Sequence, residues 1–229
     1  MPGGFTYRTV DTGSGTDPYV LGTGDGAITV NSESRVYFNA LTTLVQSALV
    51  LTNGHVVVTF AGYPHVDPVH GWMLMFDANS LALQGALNTT PNGSAAGISQ
   101  SGAGPAVDAQ GNLYVETGSG TFDSDDNVAM TTNGFQGLGD YGDAVLKISL
   151  DPTSTQSNQN GNLNGWGLAI TDYFSPFNNA ALLNSSNLNL GTGSVTILPD
   201  SVGNSTNPHL LVAAGEQGTI YLIDRDNMG

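Results

Sequence analysis

Three segments of this chain share one design, a tight polar turn that feeds a short apolar strand ending near an Asp. They are His70-Gly71-Trp72-Met73-Leu74-Met75-Phe76-Asp77, Gly142-Asp143-Ala144-Val145-Leu146-Lys147-Ile148-Ser149-Leu150-Asp151, and Gly215-Glu216-Gln217-Gly218-Thr219-Ile220-Tyr221-Leu222-Ile223-Asp224-Arg225. The copies stand roughly 70 to 75 residues apart, and self-similarity at a fixed period is the mark of a repeat architecture. Short strands with Gly-rich turns, recurring in sets of about four, build propeller blades.

The strand pattern fills in the rest. Ser47–Leu51 and His55–Phe60 flank Asn53-Gly54, a strong short hairpin signal, and Trp72–Phe76 and Leu81–Leu87 complete a first blade. A second blade reads as Pro105–Val107, Asn112–Thr117, Ala144–Leu150 and Leu168–Phe174, its turns inflated by residues 118–142 and 152–165. A third has Ser194–Leu198, Leu210–Ala213 and Thr219–Ile223, with no fourth strand after it unless the pair Ala27–Val30 and Arg35–Asn39 supplies one. Residues 1–26 read as an irregular lead-in, and Asn178–Leu183 as a short helical turn. The expected fold is therefore all-β: a β-propeller segment of about three four-stranded antiparallel blades (about 44–88, 103–174 and 193–229) with long inserted loops. Binding sites favour such loops, here 61–71, 88–103, 118–142 and 175–193.

Charge limits the partners. Four Lys plus Arg stand against 19 Asp plus Glu, a net charge of -15. That surface repels phosphates and argues against nucleic-acid binding. No apolar run is long enough to span a bilayer, and Met1-Pro2-Gly3-Gly4 carries no signal-peptide pattern. With no cysteine there are no disulfides and no thiolate chemistry. An open arc of three blades exposes sheet edges, so either self-association or the remainder of a larger propeller is expected to cover them.

The motifs resemble those of the bacterial PQQ-like β-propeller repeat proteins. The resemblance is carried by Tyr63–Trp72, Asn88-Thr89-Thr90-Pro91-Asn92-Gly93, Ala106–Gly120, Gly139-Asp140-Tyr141-Gly142-Asp143, Asp172-Tyr173-Phe174-Ser175-Pro176 and Gly215–Gly229. It implies a propeller in an exported bacterial protein, secreted or periplasmic. Relatives with quinoprotein dehydrogenase activity are longer, and this chain lacks the repeated Ala-x-Asp-x-x-Thr-Gly-x-x-x-Trp pattern that locks their blades, which argues against pyrroloquinoline quinone (PQQ) as a cofactor.

Three constellations could carry chemistry. Asp123, Asp125 and Asn127 place oxygens at alternate positions, as in the first half of a Ca²⁺ loop. Val128 stands where that loop needs Gly and Gly134 where it needs Glu, so the EF-hand reading fails, and what is left is an irregular Ca²⁺ site against a solvated acidic loop. His65-x-Asp67-x-x-His70 offers two imidazoles and a carboxylate for a divalent metal or an acid–base pair, against a structural role at a blade turn. Glu116 with Asp140 or Asp143 could form a glycosidase pair, against a buried, hydrogen-bonded Glu. No Gly-x-Ser-x-Gly elbow or dinucleotide fingerprint stands in a strand-to-helix context. The leading expectation is a non-catalytic extracellular binding or scaffold module, with a carbohydrate or small molecule as ligand class. The alternatives are a PQQ- and Ca²⁺-dependent sugar or alcohol dehydrogenase, and a hydrolase of polysaccharide or ester.

Overall fold

The computed structural model describes residues 17–63, 66–179 and 188–229, and these contain fifteen strands and no α-helix. The first sheet joins β1 (Tyr19–Leu21), β2 (Ile28–Val30) and β3 (Glu33–Tyr37) in the order β1-β3-β2. Next come β4 (Thr43–Leu44), β5 (Val50–Thr52), β6 (His55–Gly62), β7 (Trp72–Asp77) and β8 (Leu83–Asn88), the strands of one blade. A second blade follows in β9 (Ala106–Val107), β10 (Leu113–Glu116), β11 (Val145–Asp151) and β12 (Gly165–Phe174). The last sheet is β13 (Thr196–Ile197), β14 (Leu210–Ala214) and β15 (Ile220–Asp224), in that spatial order. All strand pairs are antiparallel, and the two middle blades join into one curled sheet, a partial propeller.

Period-two alternation explains how the sheets stack, because successive side chains of a strand point to opposite faces. Along β7, Trp72 and Leu74 face Val20 and Val36 of the first sheet, while Met73 and Met75 face the second blade. In that second blade, Leu113, Val115, Leu146 and Ile148 meet them. Tyr114 and Val145 point the other way, onto Leu211, Ala213 and Ile223 of the last sheet. Each of the two middle blades is thus buried on both faces. The two middle blades touch edge to edge at only two register pairs, Gly165↔Leu87 and Trp166↔Ala86. Gly165 sits at φ +144 with the Ala86 carbonyl where a Cβ would go, so no other residue fits that crossing.

Local signals account for the turns. Asn53 and Gly54 take φ of 48° and 77°, and this positive-φ pair closes the β5–β6 hairpin that their sequence predicts. Thr117, which follows β10, ties two segments: its Oγ1 donates to the Tyr141 carbonyl at 2.7 Å and accepts from the Ala144 amide at 2.9 Å. Since the residue is fully buried, Thr117→Val leaves both backbone groups dry and unpaired. The expected loss is about 1–3 kcal/mol in urea unfolding, with Thr117→Ser restoring most of it.

Two expectations need correction. Residues 17–26 are not wholly irregular, because Tyr19–Leu21 forms a strand paired with Arg35–Tyr37. The cause is tertiary: Val20 is buried against Trp72, which outweighs the Gly- and Thr-rich surroundings. Nor does the 27–39 pair complete the last blade, since its strands belong to the first sheet at the other end of the stack. Of the turn read at Asn178–Leu183, residues 180–183 lie outside the described residues.

Candidate functional site

His70 and Asp67 do not converge. The His70 ring is buried, with Nε2 2.8 Å from the Asp25 carbonyl and Nδ1 3.0 Å from Thr90 Oγ1. A carbonyl only accepts, so Nε2 carries the proton and donates, which leaves Nδ1 an acceptor; the Thr90 hydroxyl lies between it and the Ala95 carbonyl, 3.0 Å from each. Burial pushes its pKa down, which keeps the ring neutral. The imidazole therefore fastens the 25 segment to the turns around 70 and 90. Asp67 is exposed, and His65 lies outside the described residues.

The acidic loop splits between interior and surface. Asp123 is buried, and its Oδ2 accepts from the Leu138 amide at 2.6 Å and the Asp140 amide at 3.4 Å. The Asp140 carboxyl is buried beside it and accepts from the Asn92 amide at 3.0 Å. Burial pushes Asp140 up to about 7 against that amide bond, and the neighbouring Asp123 carboxylate adds to the rise. Asp125 is half-buried, and Asn127 is exposed at φ 62°. Among the described residues no three His, Asp or Glu side chains are placed to share a metal ion.

Glu116 bridges from the second blade to the last sheet, and Asp143 to the turn at Leu190–Thr192 that precedes that sheet. Glu116 shares a face of β10 with Tyr114, and its Oε1 accepts from the Ala214 amide at 3.1 Å. Its other oxygen has no partner, and burial pushes the carboxyl up to about 8. Asp143, in the turn before β11, accepts from the Leu190 amide at 2.9 Å. Burial again dominates and raises it to about 6. Both are fully buried, so each works as a carboxyl tie between blades.

An open cleft of about 530 Å³ lies elsewhere. One wall is the inserted segment after β10, with Phe122, Ser124, Asp125 and Met130, and the other is the end of β12 and the stretch beyond it, from Tyr173 to Asn179. Sequence reading marked 118–142 and 175–193 as loops where binding is expected, but it did not single out Tyr173, Phe177 or Asn179. Their only signal was the clustering of Tyr173-Phe174 with Phe177 at a loop entrance.

No family model matches the sequence. No curated protein matches it either. Among solved structures, a quinohemoprotein alcohol dehydrogenase from Pseudomonas putida superposes with a TM-score of 0.52 and 14% sequence identity. The match covers 86% of this chain and 29% of that enzyme, so the chain spans less than a third of its length. At this identity the likeness concerns the β-propeller fold alone, and not the chemistry.

Proposed function

We propose that this chain is a non-catalytic β-propeller module of an exported bacterial protein, one that binds or displays rather than turns over a substrate. One observation supports this above others: the titratable candidates with described surroundings are mostly spent on backbone groups. His70 holds the Asp25 carbonyl, Glu116 the Ala214 amide, Asp143 the Leu190 amide, and Asp123 the Leu138 amide. A general acid or base has to reach the proton it moves. Fully buried Glu116 and Asp143 reach only the blade interface.

A quinone-dependent dehydrogenase is less well supported. PQQ carries three carboxylates and calls for cationic partners. Arg35 pairs with Glu33 at 2.6 Å, Arg225 with Asp200 at 3.0 Å and Asp108 at 3.7 Å, and Lys147 donates to the Arg225 carbonyl. Among the described residues these are all of the Lys and Arg, and each already has a partner. The residues present do not fit the group.

The purified chain is therefore expected to show no turnover on ester or polysaccharide panels. The same holds for dye-linked alcohol oxidation with PQQ and Ca²⁺ added. Glu116→Gln and His70→Gln are expected to move the thermal midpoint alone. Turnover that either substitution abolishes in a folded protein would overturn the proposal.

A further inference from the structure

The core between the two middle blades is unfilled at its outer end. On β11, Leu146 and Ile148 face Met73 and Met75 of β7 and are fully buried, whereas Leu150, next in the same series, is 43% exposed. The blades meet edge to edge only at Gly165↔Leu87 and Trp166↔Ala86, and beyond that crossing a slot of about 400 Å³ opens between them. Leu83 and Gln84 at the start of β8 line one side, Leu150 and Pro152 the other, with the buried Met75 beneath. Three polar side chains in the lining keep hydrogen-bonding capacity. His55 shares a face with Met75, because Val57↔Met75 and His55↔Asp77 are register pairs two residues apart. Its Nδ1 is closed off from solvent with no partner, so the proton of the neutral ring sits on Nε2, which is unbonded among the described residues and donates into the slot. Gln84 is the extra residue of a bulge between β7 and β8; it is exposed, and its amide is unbonded among the described residues. The exposed Thr155 hydroxyl lies 3.5 Å from Ser157 Oγ. Asp151 and Ser154 are committed. The carboxylate accepts from the Thr153 amide and hydroxyl, the Ser154 hydroxyl and the Asn162 side chain, and Ser154 Oγ also accepts from the Gly167 amide.

We propose that this slot binds a small uncharged phenol, its ring filling the gap in the core and its hydroxyl bonded to His55 and Gln84. A hydroxyl suits both partners, since it accepts from His55 Nε2–H and donates to the Gln84 side-chain carbonyl. A flat ring fits a gap between two packed sheets, and the Met75 thioether favours an aromatic neighbour. No Lys or Arg lines the slot, so an anion finds no counter-charge and meets both Asp151 and a net charge of -15. A cation finds only Asp151, whose oxygens already serve four donors. A sugar would press hydroxyls onto Met75, Leu83, Leu150 and Pro152, where they lose water and gain no partner. A volume of about 400 Å³ is that of a small-molecule site.

The inference rests on the binding reading above, and the two fail separately. Catalytic turnover would sink that reading alone; absence of phenol binding would sink this slot alone. The test is calorimetric titration of the whole chain with p-cresol, beside benzoate, benzylammonium and methyl glucoside. p-Cresol is expected to bind saturably with a Kd of roughly 1 mM or tighter, and the other three about tenfold more weakly or not at all. Leu150→Trp supplies a ring to the gap from the chain itself. It should abolish p-cresol binding while the thermal midpoint holds or rises. Gln84→Ala, at an exposed position, should weaken p-cresol several-fold and leave the midpoint unchanged. No saturation by p-cresol would overturn the proposal. So would any of the other three binding as tightly, or p-cresol binding unchanged in either variant.

Discussion

Between pH 8 and pH 5 the thermal midpoint of this protein is expected to climb, and the cause is the set of carboxyls sealed between its blades. Burial raises Glu116 from 4.5 to about 8, Asp140 from 3.8 to about 7, and Asp143 from 3.8 to about 6. A raised carboxyl binds its proton more tightly in the folded chain than in the unfolded one. Stability is therefore greatest below the unfolded pKa and is lost as pH rises through the folded value. For Glu116 the window runs from 4.5 to about 8, and its full shift corresponds to a ceiling of about 5 kcal/mol. For a chain of this size each kcal/mol moves the midpoint by about 2–4 °C, so a rise of about 10 °C is expected. The net charge of -15 works in the same direction, since protonation relieves repulsion in the compact state.

The gain ends at lower pH. Hydrogen bonds from Ser154, Thr153 and Asn162 outweigh burial and hold Asp151 down at about 2, and Asp77 and Asp108 are also lowered. Their contribution falls away below the ordinary carboxylate range, which places the optimum near pH 4–5 by the same linkage. Circular-dichroism melts across the range test the whole curve. Glu116→Gln supplies the sharper control, because a neutral amide keeps the bond to Ala214 and cannot ionise. It should be more stable than the parent at pH 8 and flatten the curve between pH 5 and 8. A parent midpoint that rises with pH over that window would refute the account.

These carboxyls also mark where sequence reading stops. The short apolar runs Trp72–Phe76 and Leu113–Val115, bounded by turn residues, are enough to predict strands, and a pleat then sends successive side chains to opposed faces. It even places Glu116 on the face of Tyr114. What alternation does not contain is the partner: the Ala214 amide lies 98 residues on and is delivered by blade stacking. The strand Tyr19–Leu21 escaped for the same reason, since three residues have too short a period to see and the surface that holds them, Trp72, Trp166 and Tyr37, comes from other strands. At the cleft, Asp125 was legible as an oxygen donor and was paired with Asp123 and Asn127 by their spacing. The fold turns Asp123 inward to Leu138, leaves Asn127 exposed, and sets Asp125 in a cleft with Asn179, a residue with no spacing signal at all.

The last sheet should make the chain associate with a second copy of itself, and salt should strengthen that association. Its inner face is buried against the second blade through Leu211, Ala213 and Ile223. On β15 the alternate positions point outward, leaving Ile220 73% and Leu222 64% exposed. These positions continue the pattern that buries the other blades, and a contiguous apolar face beside an edge strand invites pairing. Opposing it is the charge of -15 on each copy, whose repulsion falls as the Debye length shrinks from about 10 Å at 0.1 M salt to about 3 Å at 1 M. Light scattering is thus expected to show a mass that grows with protein concentration and with added salt. The double variant Ile220→Asp, Leu222→Asp should stay monomeric throughout, with a thermal midpoint close to that of the parent because both side chains are already solvated. A parent that remains monomeric at every salt concentration, or a double variant that associates as well as the parent, would show that this face is not the one that pairs.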